Sequence, residues 1–331
     1  MKTLKELIIE HDNDYGFDVA QVIQDNTLIL PNLSIVIPYY ETGEVFLRTL
    51  HYLCQAIDAV KKVAPYWRYE VIVIDDGSAE KKAINCVGKG FSGLNIVSNH
   101  INQGRTKTRN HGLKLAKHEV CLFMDSDILV AEEFLLHHLR THAFARIVSK
   151  PIITVGFFQF VDTQYLGDNH DHIHCHDIAL NDFRLDCVYG ETWIGCEDDR
   201  QFISKRFKIV EETELFRKWP RNGFFGPWFL TNMVLGGFFM VYTDVSRKVN
   251  SFDEAFEGYG FTETSLPTKL IAGYGHFLVP VTQGGCVHID DEHINVSRQD
   301  KDKIFQEKHD FYFNQYLNLT WEQALQGYGK N

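Results

Sequence analysis

The sequence predicts an α/β protein with a mostly parallel central sheet and helices on both of its faces. Short apolar runs alternate with segments of helical spacing from residue 33 to residue 130, as in repeated βαβ units. Each apolar run there ends in polar or turn-forming residues. The chain has 331 residues, 44% of them hydrophobic and 23% charged, which is typical of a soluble globular protein.

The first half predicts strands and helices in a regular order. Residues 1–32 are expected to form a short helical preface, and the regular pattern starts at Leu33. Apolar runs predict buried strands, and apolar positions three or four apart predict the helices between them. The predicted strands are 34–37, 69–74, 94–97 and 120–124, and the predicted helices are 45–63, 79–87 and 106–116.

The second half is less regular. Residues 165–230 are rich in Asp, His, aromatic residues and Gly, with few periodic segments. Order returns with a predicted strand at 236–242, a helix at 265–272, a strand at 276–281 and amphipathic stretches near 304–316. Because no internal repeat or low-complexity linker occurs, we expect one continuous unit rather than two separable domains.

Net charge limits the expected classes of partner, and cysteine content indicates the expected compartment. The formal net charge of -11 argues against nucleic acid or an anionic membrane as the main partner. No apolar stretch approaches the roughly 20 residues of a membrane-spanning helix, and the charged N-terminus lacks the layout of a secretion signal. The seven cysteines are odd in number and widely spread, which favours a reducing, cytoplasmic compartment.

Three polar clusters follow the predicted strands and should meet at one edge of the sheet. They are Pro38-Tyr39-Tyr40-Glu41, Asp75-Asp76-Gly77-Ser78 and Asp125-Ser126-Asp127. Two carboxylates one residue apart are costly to bury unless a cation holds them, and Mg²⁺ or Mn²⁺ prefers oxygen ligands and often brings phosphate. The clusters therefore indicate a metal-bridged diphosphate. A polar strand end and a turn with a helix cap are the structural alternatives.

In order and spacing, four segments resemble the nucleotide-sugar glycosyltransferases of the GT-A fold, family 2 type. They are 35–41, 71–78, 102–112 and 123–127. The resemblance covers residues 33–130 well and 235–290 less closely. It implies a nucleotide-sugar-binding half at 33–130, an acceptor-binding and catalytic half at 131–290 and a C-terminal helical tail at 291–331, all within one GT-A unit.

The resemblance implies that the first two clusters hold the nucleoside. Pro38, Tyr39 and Glu41 would border the base and ribose. Asp76 would accept a hydrogen bond from the uracil N–H, with Asp75 as its helper.

The segment 102–112 implies further contacts to the nucleotide. Asn102 and Gly104 would shape the loop before a helix, and Arg109 would face the nucleotide, because a guanidinium suits phosphate or a base face. A solvated basic face is the alternative for Arg109. Its members would be Arg105, Lys107 and Lys114.

The third cluster implies the metal site. Asp127 would bind the cation directly, and Asp125 would contact the ribose or a metal-bound water, with Ser126 between them. His288 resembles the late histidine that completes the metal site in many GT-A enzymes, and imidazole is a common metal ligand. A polar surface histidine is the alternative.

The segment 259–263 resembles the galactosyltransferase-type sequence Gly-Trp-Gly-Gly-Glu-Asp, with departures. Tyr259 stands for the tryptophan and Phe261 for a glycine. Thr262 and Glu263 stand for the acidic pair, so Glu263 is the candidate general base. Tyr259 and Thr262 are candidate contacts for the acceptor or donor. Other candidate bases are Glu257 and Asp253.

Two more segments carry weaker signals. Residues 168–177 hold four histidines at alternate positions, which could bind a metal as an extended strand but more often form a solvated acceptor-side loop. Trp219 and Trp228 flank a Gly- and aromatic-rich stretch that could close over the donor. Core packing explains the aromatic residues of that stretch equally well.

These features predict an inverting, metal-dependent glycosyltransferase. It would use Mn²⁺ or Mg²⁺ to move a sugar from a UDP-sugar to a hydroxyl of a glycan, peptide, lipid or small molecule. A sugar-phosphate nucleotidyltransferase is an alternative, although segment 38–43 lacks the basic phosphate loop of that class. A catalytically decayed nucleotide- or carbohydrate-binding protein is another, because Thr262 stands where an acid is expected.

Overall fold

The computed structural model describes residues 1–11, 13–81, 84–85, 87, 91–161, 182, 230–235, 237–289 and 298–330. Within these residues, eight strands form one sheet in the spatial order β3-β2-β1-β4-β7-β6-β8-β5. The strands are β1 (Leu33–Tyr39), β2 (Tyr69–Asp75), β3 (Leu94–Ser98), β4 (Val120–Met124), β5 (Ile128–Val130), β6 (Ile152–Val161), β7 (Phe238–Tyr242) and β8 (Phe277–Ile289).

Helices of the described residues pack on both faces of this sheet. The α-helices are α1 (Leu4–Glu10), α2 (Val19–Val22), α3 (Val45–Val63), α4 (Arg105–Leu115), α5 (Phe134–Ile147), α6 (Thr243–Lys248), α7 (Ser265–Tyr274), α8 (Arg298–Asn314) and α9 (Trp321–Gln326). Short 3₁₀ helices cover Leu230–Met233 and Tyr316–Asn318.

The first four strands are parallel and share one carboxyl edge. β1 pairs with β2 and β4, and β3 pairs with β2, all in parallel. Tyr39 at the end of β1 lies opposite Asp75 at the end of β2, so the polar residues after both strands are neighbours. β7 is antiparallel to β4 and β6, whereas β6 and β8 are parallel to each other. The predicted α/β class and mostly parallel sheet are confirmed.

Alternation along the strands produces two hydrophobic cores, one on each face. Val36, Ile72 and Phe123 belong to one core, which also takes Leu113 of α4 and Leu270 of α7. Their strand neighbours belong to the other core, with apolar residues of α3 and α5. Members of this second core are Ile35, Ile37, Val71, Val73, Leu122, Met124, Leu53, Ile57, Leu135 and Leu139.

The chain has elements that the sequence pattern did not predict. Helix α5 and strand β6 occupy residues for which periodicity indicated no structure. The reason for α5 lies in its buried polar residues, which hide the amphipathic pattern; they are His138, Arg140, Thr141 and His142. The strand expected at 276–281 continues to Ile289, and this extra length carries His288 to the site.

Other expectations agree with the structure or lie outside it. Helix α3 has the predicted bounds, and the N-terminal preface contains α1, which begins with a capping box between Thr3 and Glu6. Thr3 also forms a β-bridge with Thr320, near the other end of the described chain. Of the helix expected at 79–87, residues 84–85 are α-helical and residues 79–81 are not, whereas residues 82–83 and 86 lie outside the described residues. No described helix combines the length and apolar character needed to cross a membrane.

Candidate active site

Asp75, at the end of β2, is a buried anchor of the carboxyl edge. Its carboxylate accepts hydrogen bonds from Ser78 N and Ser98 Oγ and lies 3.3 Å from Lys81 Nζ. Burial opposes its charge, but these donors outweigh burial and hold the pKa of Asp75 below its ordinary value. Asp75 therefore remains ionised while it orders the turn that follows the strand.

Asp76 organises the loop that leads into α4. Its Oδ1 accepts hydrogen bonds from Asn99 Nδ2 at 2.8 Å and Gln103 N at 2.9 Å, and its Oδ2 accepts from Gly104 N at 2.8 Å. Asn102 Oδ1 also accepts from Gly104 N, at 3.1 Å. The predicted loop-shaping residues thus lie together. The Asp76 carboxylate already accepts these three hydrogen bonds from the protein, and its contact with the uracil N–H stays a prediction.

Tyr39 has a buried side chain, and its contact with the nucleoside stays a prediction. Its side chain is only 1% exposed, and its ring packs 4.9 Å from the ring of Phe46 in the core. Tyr40, the next residue, is 50% exposed. Because both faces of β1 are buried, alternation of apolar residues alone could not show which of the two tyrosines points to solvent. Pro38 and exposed Glu41 remain at the edge of the sheet.

Ser126 is fixed by the segment that follows β1. Its hydroxyl lies 2.5 Å from Thr42 Oγ1, and its backbone carbonyl accepts a hydrogen bond from Thr49 Oγ1 at 2.9 Å. Glu41 closes the same region, because its N–H donates to Ser78 Oγ at 3.0 Å. Sequence reasoning missed Thr42 and Thr49, because neither belongs to a motif that marks it as part of a site.

Asp125, Asp127 and His288 form a cluster suited to a cation. One ligand atom of each lies within 4.8 Å of the others, and His288 Nε2 is 3.7 Å from Asp127 Oδ1. The buried atoms Asp127 Oδ1 and His288 Nδ1 have no hydrogen-bond partner among the described residues.

The two aspartates carry opposite electrostatic perturbations. Burial raises the pKa of Asp125, but the guanidinium groups of Arg109 and Arg105 and the nearby His288 together outweigh it and hold that pKa below its ordinary value. Burial also raises the pKa of Asp127, and the neighbouring Asp125 carboxylate adds to this rise against the influence of His288. A partly buried carboxylate that has one enclosed oxygen without a hydrogen-bond donor, Oδ1, and lies beside a second acid fits a direct ligand of a divalent cation.

Arg109 lies at the centre of the site and is not part of a solvated basic face. Only 1% of its side chain is exposed. Its Nη2 donates to Asp125 Oδ1 at 2.9 Å, its Nη1 donates to Thr262 Oγ1 at 3.0 Å, and Nη1 is 3.6 Å from Glu263 Oε2. One guanidinium therefore connects the cation cluster with the candidate base.

Thr262 supports Glu263 through its hydroxyl. Its side chain is buried, and its contact with the acceptor or donor stays a prediction. The hydroxyl accepts from Arg109 and donates to Glu263 Oε2 at 2.7 Å. Tyr259, the other predicted contact in this segment, is 44% exposed. Thr262, which stands where the related sequence has an acid, therefore links Arg109 to Glu263 through two consecutive hydrogen bonds.

Helix α4 also holds the loop that carries Glu263. Asn110 exchanges two hydrogen bonds of 2.9 Å with the backbone of Phe252, and Thr106 Oγ1 donates to Phe256 O at 2.5 Å. Near the end of this loop, Phe261 adopts a left-handed φ of 58° where the related sequence has glycine. Its ring contacts aromatic residues of α8, which compensates for the strained backbone; they are Phe305, His309, Tyr312 and Phe313.

The alternative bases lie in other surroundings. Glu257 is on the surface and pairs with Lys107 at 3.2 Å. Asp253 is 6% exposed, and its two oxygens accept from Ala255 N and Tyr328 N. Among the described residues, neither Glu257 nor Asp253 forms a hydrogen bond or ion pair with Arg109. Trp219, Trp228 and the histidine-rich segment 168–177 lie outside the described residues.

Sequence comparison relates the chain to known transferases. The model of the family described as glycosyl transferase family 2 matches residues 34–161. A poly(ribitol-phosphate) beta-glucosyltransferase of Bacillus spizizenii is 32% identical over 107 residues, which cover 31% of this chain and 16% of that protein. The uncharacterized glycosyltransferase YfnE of Bacillus subtilis is 22% identical over 254 residues, 72% of this chain and 59% of that protein. The chain thus spans less than two thirds of the length of these curated relatives.

Solved structures share the fold. GalNAc-T7 with UDP, GalNAc and Mn²⁺ is 16% identical with a TM-score of 0.52, covering 86% of this chain and 50% of that one. The mannosyltransferase PcManGT from Pyrobaculum calidifontis, in complex with GDP-Man and Mn²⁺, is 14% identical with a TM-score of 0.51, covering 88% of this chain and 70% of that one. Residues 34–161 thus match the family 2 glycosyltransferases, and the chain shares the GT-A fold of these solved structures.

Proposed function

We propose that the protein is an inverting, metal-dependent glycosyltransferase that moves a sugar from a UDP-sugar to an acceptor hydroxyl. One observation carries the proposal: Arg109 contacts both Asp125 of the cation cluster and Glu263 of the acceptor-side loop. Transferase relatives and solved neighbours with UDP or GDP-Man and Mn²⁺ support it. Residues 33–130 would bind the donor, and residues 131–290 would supply the base and bind the acceptor.

The proposed cation ligands are Asp127 and His288, with Asp125 on the ribose or on a metal-bound water. A divalent cation held there would neutralise the charge that develops on the departing diphosphate. Mn²⁺ is the preferred candidate over Mg²⁺, because Mg²⁺ retains its waters and rarely exchanges one for an imidazole. The support is the pair of buried ligand atoms without hydrogen-bond partners among the described residues.

Glu263 is the proposed general base. Its carboxylate is 13% exposed, which leaves an acceptor hydroxyl access to it. Thr262 and Arg109 fix its orientation, and a positioned base would remove the acceptor proton as the hydroxyl attacks. Attack from the side opposite the diphosphate inverts the anomeric carbon in a single displacement. The acceptor is a hydroxyl of a glycan, peptide, lipid or small molecule.

UDP release from a panel of UDP-sugars, with and without Mn²⁺, tests this function. We expect slow Mn²⁺-dependent UDP release without an acceptor, and faster release when a suitable acceptor is added. Pyrophosphate exchange would instead identify a nucleotidyltransferase. UDP binding without any turnover would identify a binding protein.

Two substitutions separate the roles of cation and base. Glu263→Gln should lower kcat by about 10²–10⁴-fold and leave UDP affinity intact, because only the proton acceptor is lost. Asp127→Asn should abolish the Mn²⁺ dependence of UDP binding along with turnover. The matched control is Glu257→Gln, which changes a surface carboxylate of the same loop and should retain wild-type kinetics.

A further inference from the structure

Arg105 stands on the face of α4 that points to the active site. It is the first residue of the helix, one turn before Arg109, and residues four apart lie on the same helix face. Arg109 is buried against Asp125 and Glu263, whereas Arg105 is exposed. The Arg105 side chain therefore lies on the solvent side of the same pair of acids.

The acids of the site act on Arg105 without binding it. Although the residue as a whole is exposed, the atoms around its guanidinium partly desolvate it and lower its pKa. The carboxylates of Asp125, Asp127 and Glu263 outweigh this desolvation and raise the pKa of Arg105 above its ordinary value. None of the ion pairs within 4.0 Å in the described part of the chain involves Arg105. Its guanidinium is thus close enough to the site to interact electrostatically with these carboxylates, and its fork of donors is open to a ligand.

Local helix physics does not account for an arginine at this position. A cation in the first turn opposes the helix dipole, which favours acidic residues there. Gly104 at the N-cap provides no side-chain hydrogen bond that could compensate. Residues that break a local rule without a structural gain are commonly retained for function.

The charge balance of the proposed donor complex favours a further cation beside the phosphates. Asp125, Asp127 and Glu263 carry negative charges that Arg109 and a divalent cation would together balance. A bound nucleoside diphosphate sugar adds two further negative charges, and bond cleavage leaves another on the departing group. These charges would be uncompensated without an additional cation at the mouth of the site.

We propose that Arg105 binds the diphosphate of the nucleotide-sugar donor and stabilises it as the leaving group. The inference rests on the proposed function and adds a protein ligand for the phosphates beside the cation. A guanidinium can contact phosphate oxygens in a bidentate manner, which a lysine ammonium cannot reproduce.

Calorimetric titration of UDP and uridine, with Mn²⁺ present, tests the proposal on the full chain. Arg105→Ala should weaken UDP binding about 10- to 100-fold, as expected for lost charge-assisted hydrogen bonds, and leave uridine binding unchanged. Arg105→Lys should recover part of the loss. Arg68→Ala is the control, because Arg68 is an exposed arginine before the first residue of β2, at the opposite edge of the sheet, and should bind UDP like the wild type.

The outcomes separate this inference from the function on which it rests. Equal UDP affinity in Arg105→Ala and wild type overturns the inference, and so does a parallel loss of UDP and uridine binding, which would indicate a structural role. A wild-type chain that binds neither UDP nor uridine contradicts the proposed function itself.

Discussion

At the scale of single residues, a buried arginine and a threonine determine the geometry of the site. Arg109 contacts Asp125 through one nitrogen and Thr262 through another, and Thr262 passes a hydrogen bond to Glu263. These contacts orient two acids that would otherwise repel each other in a partly buried space. The same few atoms therefore hold both the cation cluster and the proposed base, Glu263.

Arg109→Met should destabilise the fold by about 3–5 kcal/mol, because it leaves the Asp125 carboxylate buried without its partner. Urea unfolding at neutral pH measures this change. Lys107→Met on the same helix is the control, since its surface pair with Glu257 should contribute less than about 1 kcal/mol. Similar losses in the two variants would contradict the role assigned to Arg109.

Thr262→Val should lower kcat while the KM for the donor changes little. The substitution keeps the shape of the side chain but removes the hydroxyl that donates to Glu263. Thr262→Ser restores that hydroxyl and should recover most of the turnover. If the valine variant raises the donor KM as much as it lowers kcat, Thr262 acts on donor binding instead.

At the scale of elements, helix α5 buries histidines against the sheet. His138 Nδ1 and His142 Nε2 lie 2.8 and 3.2 Å from the same hydroxyl, Thr154 Oγ1 of β6. Burial lowers the pKa of His142 to about 3 and that of His276 to about 4, and lowers that of His138 well below 6.5. These imidazoles are therefore neutral in the folded protein at neutral pH.

The free energy of unfolding should fall as the pH drops below about 6.5. Below that pH the histidines of the unfolded chain become protonated, whereas those of the folded chain stay neutral until the pH nears their lowered pKa values. At pH 5, each such histidine should cost about 2 kcal/mol relative to pH 7. Urea unfolding at both values, for wild type and His142→Leu, checks this: the variant should lose less stability on acidification. Equal losses would exclude His142 as a contributor.

The contact between α4 and β1 is a second element-scale constraint. A Cβ at Gly112 would lie 2.2 Å from Val36 Cγ1, too close for any unstrained structure. Gly112→Ala should therefore destabilise the protein by about 1–3 kcal/mol through overpacking. Combining it with Val36→Ala should cost less than the sum of the two single changes, as a double-mutant cycle in urea would measure.

At the scale of the whole molecule, local patterns predicted the parallel half and missed features that depend on distant contacts. Strands β1, β2 and β4 have clear apolar runs followed by polar residues, which is enough to place their ends together. Helix α5 escaped because its buried histidines bond to β6. The pairing of His288 with Asp127 required the length of β8, and the burial of Tyr39 required packing from both faces of β1.

The two halves should not fold separately. Strand β4 pairs with β7, and Thr106 and Asn110 of α4 bind the loop 252–256. A fragment of residues 1–161 would lack these partners and leave one edge of β4 uncovered. We expect this fragment to be aggregated or poorly protected in hydrogen exchange, whereas the full chain is monodisperse. A stable, soluble fragment would contradict the single-unit organisation.

The pairing of β4 with β7 also bears on how the protein is made. Residues 125–237 must leave the ribosome before β7 can reach its neighbour, which takes on the order of ten seconds at ordinary rates of translation. During that interval a nascent chain exposes an apolar strand edge. A chaperone that shields such edges during synthesis would therefore raise the yield of the native enzyme more than one that acts after release.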